Sequence, residues 1–313
     1  MSNMATRVVV AVVAIPIIFY ATYVGGYLFY FLILVMSSIA LSEFYSLSER
    51  KGASPLRILG ILTGILMVSV FFYGKIFEAA ISLLQRVSSS VRSPSQLQWL
   101  LILLIAFVLV SLTIELFRGK SSPLFNLAST AFGMLYVSMS FGTFIGIREL
   151  FHNDFPLPRF LSVVGVQSAE VARELSYRWG GYTVISILAC IWICDTAAQF
   201  VGLKYGKHKL FPRVSPNKSW EGAVSGFVAA IGAAVLARYL VLPFFSVGES
   251  VVIGFVVGVF GQLGDLAESL LKRDAGVKDS SAIIPGHGGM LDRFDSLLFV
   301  SPVLYLYFDF VLF

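Results

Sequence analysis

The sequence predicts an all-α fold, a polytopic transmembrane helical bundle of about nine spans. Three observations carry this. Hydrophobic residues make up 57% of the 313 residues and charged residues only 13%, and the mean hydropathy is +0.84, an apolar surplus larger than a water-soluble domain can bury. Several uncharged runs approach the roughly 20 residues that a helix needs to cross about 30 Å of hydrocarbon. The runs are continuous rather than alternating, which selects helices over barrel strands.

Taken in order, residues 8–42 carry no charge and are interrupted by Gly25 and Gly26, so they read as two short spans. Arg7 precedes them and no small-residue cleavage site follows, which indicates a retained anchor rather than a removed signal peptide. Further spans are expected at 56–73, 98–117, 127–147, 181–203, 221–242, 250–271 and 296–312. The Ser-rich stretch 87–96 and the segment 151–178 read as outside loops, the second a candidate for an amphipathic helix. Polar residues become dense only after Asp195, which divides the chain into a scaffold, 1–180, and a chemistry-bearing region, 181–313, with cytoplasmic loops 203–221 and 272–295.

Placing the N-terminus in the cytoplasm puts most of the 23 lysines and arginines on the inner side, as the positive-inside rule requires. Both strongly polar C-terminal loops then face the cytoplasm. The net charge of +5 would attract anionic lipid and nucleotide. Cys190 and Cys194, four apart in one apolar span, have the wrong spacing for a zinc pair or redox motif and read as small packing residues.

Four carboxylates border the spans on one side. Asp195 follows the apolar run 185–194, Asp265 ends the run 251–264, and Asp292 and Asp295 precede the last span. A charge at such a depth costs about 2.5–3.5 kcal/mol on insertion scales, so it is normally turned toward a polar cavity. The competing reading is that Asp195 and Asp265 cap helices or pair with lysine. Asp265, Glu268 and Lys272 share a helix face, where Glu268 and Lys272 could also form a plain surface ion pair. Gly276 permits a turn, and Pro285, Gly286, Gly288 and Gly289 make a loop whose backbone N–H groups suit phosphate oxygens. Asp292 and Asp295, three apart, form a candidate metal-ligand pair; oxygen ligands without a Cys/His cluster favour magnesium over zinc. His287 fits a general acid or base, a phosphate contact or a loop-fixing hydrogen bond equally well. In the other loop, Ser215, Pro216, Asn217, Lys218 and Ser219 lead through Trp220 into Glu221 at the start of span seven, a turn that would gather hydroxyls, a lysine and a helix N-terminus into an anion site. A solvated positive-inside loop is the alternative there. No Walker A pattern, dinucleotide fingerprint, HExxH or serine elbow occurs.

Ser269, Lys272-Arg273, Lys278-Asp279, His287-Gly288-Gly289 and Asp292-Arg293-Phe294-Asp295 together resemble the C-terminal signature of the phosphatidate cytidylyltransferases. The segments Asp195-Thr196-Ala197-Ala198, 215–222 and 261–266 look like family segments too, so the resemblance covers about 195–295; Gln199 departs from the aromatic residue expected there. The resemblance implies a homodimeric helical membrane protein of the plasma membrane with a polar cavity open to cytoplasm and lipid. Its substrates would be CTP and phosphatidic acid, and no nucleic-acid partner is expected. It implies Mg2+ at Asp265 and Asp292, with Asp195 and Asp295 as further candidate ligands and room for a second cation, monovalent or divalent. Asp265, Asp292, Lys272, Arg293 and His287 would be catalytic. Ser215, Asn217, Lys218, Ser219, Glu221, Ser269, Arg273, Lys278, Asp279, Gly288 and Gly289 would bind substrate. The rival functions are a transporter or flippase whose acidic residues couple to an ion, and a polyprenol-type lipid kinase.

Overall fold

The computed structural model describes residues 3–76, 95–153, 169–286 and 288–313. Among them the chain forms nine helical rods and one small hairpin. Helix α1 (Asn3–Val24) turns at Gly25 into α2 (Gly26–Arg50), followed by α3 (Arg57–Val70) and α4 (Gln96–Arg118). Helix α5 starts as Pro123–Gly133, passes through a π turn at Met134–Ser138 and continues as Met139–Asn153. Helix α6 (Ala169–Tyr205) leads through strands β1 (Lys209–Phe211) and β2 (Ser215–Ser219) into α7 (Trp220–Leu240). Helix α8 runs from Val247–Val256 through a π turn, Val257–Gly261, to Gln262–Asp274. Helix α9 is Met290–Tyr307 and closes in a π turn at Phe308–Leu312.

Seven of these rods are long and apolar enough to cross a membrane, while Val12–Val24 in α1 and Arg57–Val70 are shorter apolar helices. Large apolar side chains stand on the outside, with Phe117 83% and Leu124 82% exposed, as a lipid-facing surface requires. The chain is thus an all-α integral membrane protein, as its composition predicts.

Close backbone approach at glycine builds the C-terminal half. A Cβ on Gly226 would sit 2.8 Å from the Cys194 carbonyl of α6, one on Gly254 2.5 Å from Ile231 of α7, and one on Gly264 2.5 Å from the Asp295 carbonyl of α9. Small residues allow this packing, where van der Waals contact replaces the hydrophobic drive lost in lipid. Cys190 and Cys194 are buried and unpaired within it.

The bend between α1 and α2 has its own cause. Gly25 has φ +69°, and any side chain there would collide with Arg148 and Tyr177. The buried Arg148 donates from Nε to the Thr22 carbonyl at 3.2 Å and from Nη2 to that of Tyr23 at 3.4 Å, satisfying carbonyls that the end of a helix leaves open.

Two boundaries differ from the sequence reading. Helix α6 includes 169–180, part of the expected outside loop offered as a candidate amphipathic helix, and runs unbroken into the span; Arg178 pairs with Glu174 at 2.7 Å on its exposed side. Helix α9 starts at Met290 rather than 296, so Asp292 and Asp295 are helical. The connecting segment between α8 and α9 is therefore 275–289. The 87–94 and 154–168 parts of the expected outside loops lie outside the described residues.

Candidate active site

The site grows from the π turn of α8. A π turn frees one carbonyl from the regular ladder, and Gln262 answers it: its Nε2 donates to the Gly258 carbonyl at 2.7 Å and to the Ala223 carbonyl of α7 at 3.0 Å. That fixes the segment Gln262-Leu263-Gly264-Asp265 between α7 and α9. Ser269, one turn on, donates to Asp265 Oδ1 at 3.3 Å.

Lys218 of β2 reaches Asp265 Oδ2 at 2.5 Å. The strand is held by pairing Lys209 with Ser219 and Phe211 with Ser215. Glu221 locks the hairpin to α7, receiving the His208 backbone N–H at 3.2 Å and contacting its Nδ1 at 2.7 Å. Ser219 caps α7 by accepting from the Gly222 N–H at 3.2 Å. Residues read from sequence as a bare anion-binding turn are thus a small antiparallel hairpin. Ser215 and Glu221 build it, while Asn217, Lys218 and Ser219 face the cavity.

Lys272 of α8 bridges Glu268, one turn back, and Asp292 Oδ1 of α9 at 2.6 Å. Glu268 is fully buried, so the pair is not the surface ion pair its spacing also allowed. Its Oε1 has no hydrogen-bond partner among the described residues. The Oδ2 of Asp292 accepts from Ser280 N at 2.9 Å, Ser280 Oγ at 2.9 Å and Gly289 N at 2.7 Å. Both oxygens of Asp292 are therefore engaged.

Sequence reasoning missed Glu43. It lies on α2, 2% exposed, and accepts from Ser280 Oγ (3.2 Å), Ser281 Oγ (2.5 Å), Met290 N (3.0 Å) and Leu291 N (2.8 Å). Its only signal was position: it is the first charge after the uncharged run 8–42. The consequence reaches the glycine loop. The N–H groups of Gly289, Met290 and Leu291 are taken by Asp292 and Glu43, and that of Ile284 by the Gly288 carbonyl at 2.9 Å. These amides are structural in this state, and the positive charges left facing the cavity are side chains.

The cavity holds about 1280 Å3. Its polar end brings together Asp195 of α6, Asn217, Lys218 and Ser219 of the hairpin, Asp265 and Lys272 of α8, Asp279 of the connecting segment, and Asp292, Arg293 and Asp295 of α9. Its apolar wall is Val13 and Ile17 of α1, Met36 of α2 and Trp192 of α6. Gln199 lies in the wall as well. Ser215, Glu221, Ser269, Arg273, Lys278, Gly288 and Gly289 do not line it. Arg273 instead donates to the Val277 carbonyl at 2.9 Å and fixes the turn after α8. Gly288, at φ +85°, makes the bend before α9. His287 lies outside the described residues.

Among the described residues no three His, Cys, Asp or Glu side chains are close enough to cage a metal ion. Magnesium does not ask for such a cage: it binds one or two carboxylates, keeps waters and takes the rest of its oxygens from substrate phosphates. One or two carboxylates drawn from Asp195, Asp265 and Asp295, oxygen donors that line one cavity, fit that chemistry.

The sequence matches the cytidylyltransferase family over residues 5–311. The chain belongs to that family. Its similarity to a phosphatidate cytidylyltransferase of Bacillus subtilis is 34% identity over 309 residues, 97% of either chain. A phosphatidate cytidylyltransferase of Synechocystis sp. is 29% identical over 303 residues, 96% of this chain and 95% of its own. One of Thermotoga maritima is 43% identical over a shorter 138 residues, 42% of this chain and 50% of its own. Family membership thus extends well beyond 195–295, where the motifs lie, and takes in the helices that supply Glu43 and the apolar wall.

Proposed function

We propose that the chain transfers CMP from CTP to phosphatidic acid, giving CDP-diacylglycerol and pyrophosphate, from a cavity facing the cytoplasm. The observation that carries this reading is a single cavity lined both by apolar side chains of α1, α2 and α6 and by charged ones of α6, the hairpin, α8 and α9. A two-tailed lipid can keep its chains against Val13, Ile17 and Trp192 while its head group meets the charged end. A nucleotide enters from water.

The attacking phosphatidate oxygen is already an anion near neutral pH, so no strong general base is required of the protein. The barrier is electrostatic: two polyanions must approach in line and pyrophosphate must depart. Lys218, Lys272 and Arg293 supply positive charge at the cavity wall. In the resting arrangement Lys218 and Lys272 are held by Asp265 and Asp292, so each is positioned and each has a carboxylate to return to after product leaves. One or two of Asp195, Asp265 and Asp295 would hold Mg2+, which when bound neutralises phosphate oxygens and orients them. Asp292, saturated by four donors, fixes Lys272 and the 275–289 segment, and is open to a cation at Oδ1 only when Lys272 moves away.

The decisive experiment gives purified protein in detergent labelled CTP, magnesium and phosphatidate. Pyrophosphate release with formation of labelled lipid is expected. Retained ion binding without turnover would point to a transporter, and preference for ATP and a prenol would point to a lipid kinase.

A further inference from the structure

We propose that Glu43 is a positioning residue of the active site, a carboxylate delivered from α2 that caps α9 in trans and thereby sets Asp292 and Lys272. The inference rests on the cytidylyltransfer reading for its kinetic arm.

The first amides of any α-helix have no partner inside the helix. In α9 those of Met290 and Leu291 point at the two oxygens of one buried carboxylate, at 3.0 and 2.8 Å. Ser281 Oγ adds a third donor at 2.5 Å. Ser280 Oγ stands between two carboxylates, 3.2 Å from Glu43 Oε2 and 2.9 Å from Asp292 Oδ2. A hydroxyl has one proton, so it serves one of them at a time and couples their positions. Through Asp292 Oδ1 the chain of contacts ends on Lys272, in the cavity wall.

Gly289 gives independent support. A Cβ there would lie 2.1 Å from Ser280 Oγ and 2.6 and 2.7 Å from the Glu43 oxygens. The absence of a side chain at this position is what lets Glu43 and Ser280 occupy the space. Glu43 itself does not line the cavity. It acts on geometry and touches no substrate.

The test is Glu43→Gln, which keeps the shape but turns an NH2 toward a backbone N–H, Met290 or Leu291, that cannot accept from it. Expected is a protein that inserts and purifies, with kcat lowered by about tenfold or more and KM for phosphatidate nearly unchanged, since small misplacements of a site are costly in rate. Hydrogen exchange should quicken across 280–291 and nowhere else. Glu43→Asp, which keeps the charge and both acceptors, should recover part of kcat. Glu249→Gln, the same loss of charge in the cap at the other end of α8 (Ser246 N to Glu249 Oε2, 2.7 Å), should move neither readout. Wild-type kcat in Glu43→Gln despite faster local exchange overturns the proposal, as does unchanged exchange. Should Glu43→Gln fail to fold, Ser281→Ala removes one of the donors and decides the matter by the same two readouts. Absence of CTP turnover in the wild type would sink the functional reading alone, leaving the exchange arm to decide whether Glu43 holds the segment.

Discussion

Asp265 and Asp292 both bind a lysine, yet their surroundings assign them different work. The Asp265 side chain is 33% exposed, beside Lys218, whereas that of Asp292 is 4% exposed and receives four donors. Asp265→Asn should therefore abolish turnover with little change in thermal unfolding. Asp292→Asn should abolish turnover and also destabilise by about 1–3 kcal/mol, because buried donors lose a charged acceptor. Differential scanning fluorimetry beside the CTP assay separates the two, and equal stability losses would contradict the division of labour. Gly289→Ala belongs with Asp292: the added methyl meets Ser280 Oγ at 2.1 Å, so loss of activity with a lowered unfolding temperature is expected in the same assays.

At the scale of elements, the packing of α8 on α9 is a close constraint on the site. Gly264 brings the backbone of α9 against α8, with its would-be Cβ 2.5 Å from the Asp295 carbonyl, and so sets the distance between Asp265 and Asp295. Gly264→Val should push the helices apart and remove activity, while helix content by circular dichroism stays close to wild type. Much of this level was legible in the sequence. Asp195, Asp265, Asp292 and Asp295 each stand at the edge of an apolar run, and the cost of a charge at that depth announces a cavity. Helix ends were less legible. Gly180 and Gly181 look like a helix start, but they occur mid-helix because a side chain at Gly180 would meet Arg148 Nη1 at 2.7 Å and one at Gly181 the backbone of Tyr23 at 3.2 Å. The charges at Asp292, Arg293 and Asp295 look like loop, yet α9 includes them because Glu43 completes its first turn. That contact spans 247 residues, and no spacing rule applies over such a separation.

For the whole molecule, helices of the expected N-terminal scaffold meet the expected chemical region at the cavity. Helix α1 supplies part of the apolar wall and α2 supplies Met36 and Glu43, so residues far from the motifs line the cavity and hold the geometry of the site. A bulky change in that wall, Val13→Trp, should raise KM for long-chain phosphatidate several-fold with kcat and KM for CTP little altered, and a short-chain phosphatidate should suffer less. Equal effects on both lipids would place the acyl chains elsewhere. The molecule carries a net charge of +5, but the cavity does not share its sign. Its wall holds the five aspartates 195, 265, 279, 292 and 295 against Lys218, Lys272 and Arg293. With every side chain ionised that wall is formally negative, so a triphosphate whose charge is masked by counter-ions is expected to suit it better than a naked one. Discrimination among the ionic forms of the nucleotide would follow from that sign, ahead of any contact with the base.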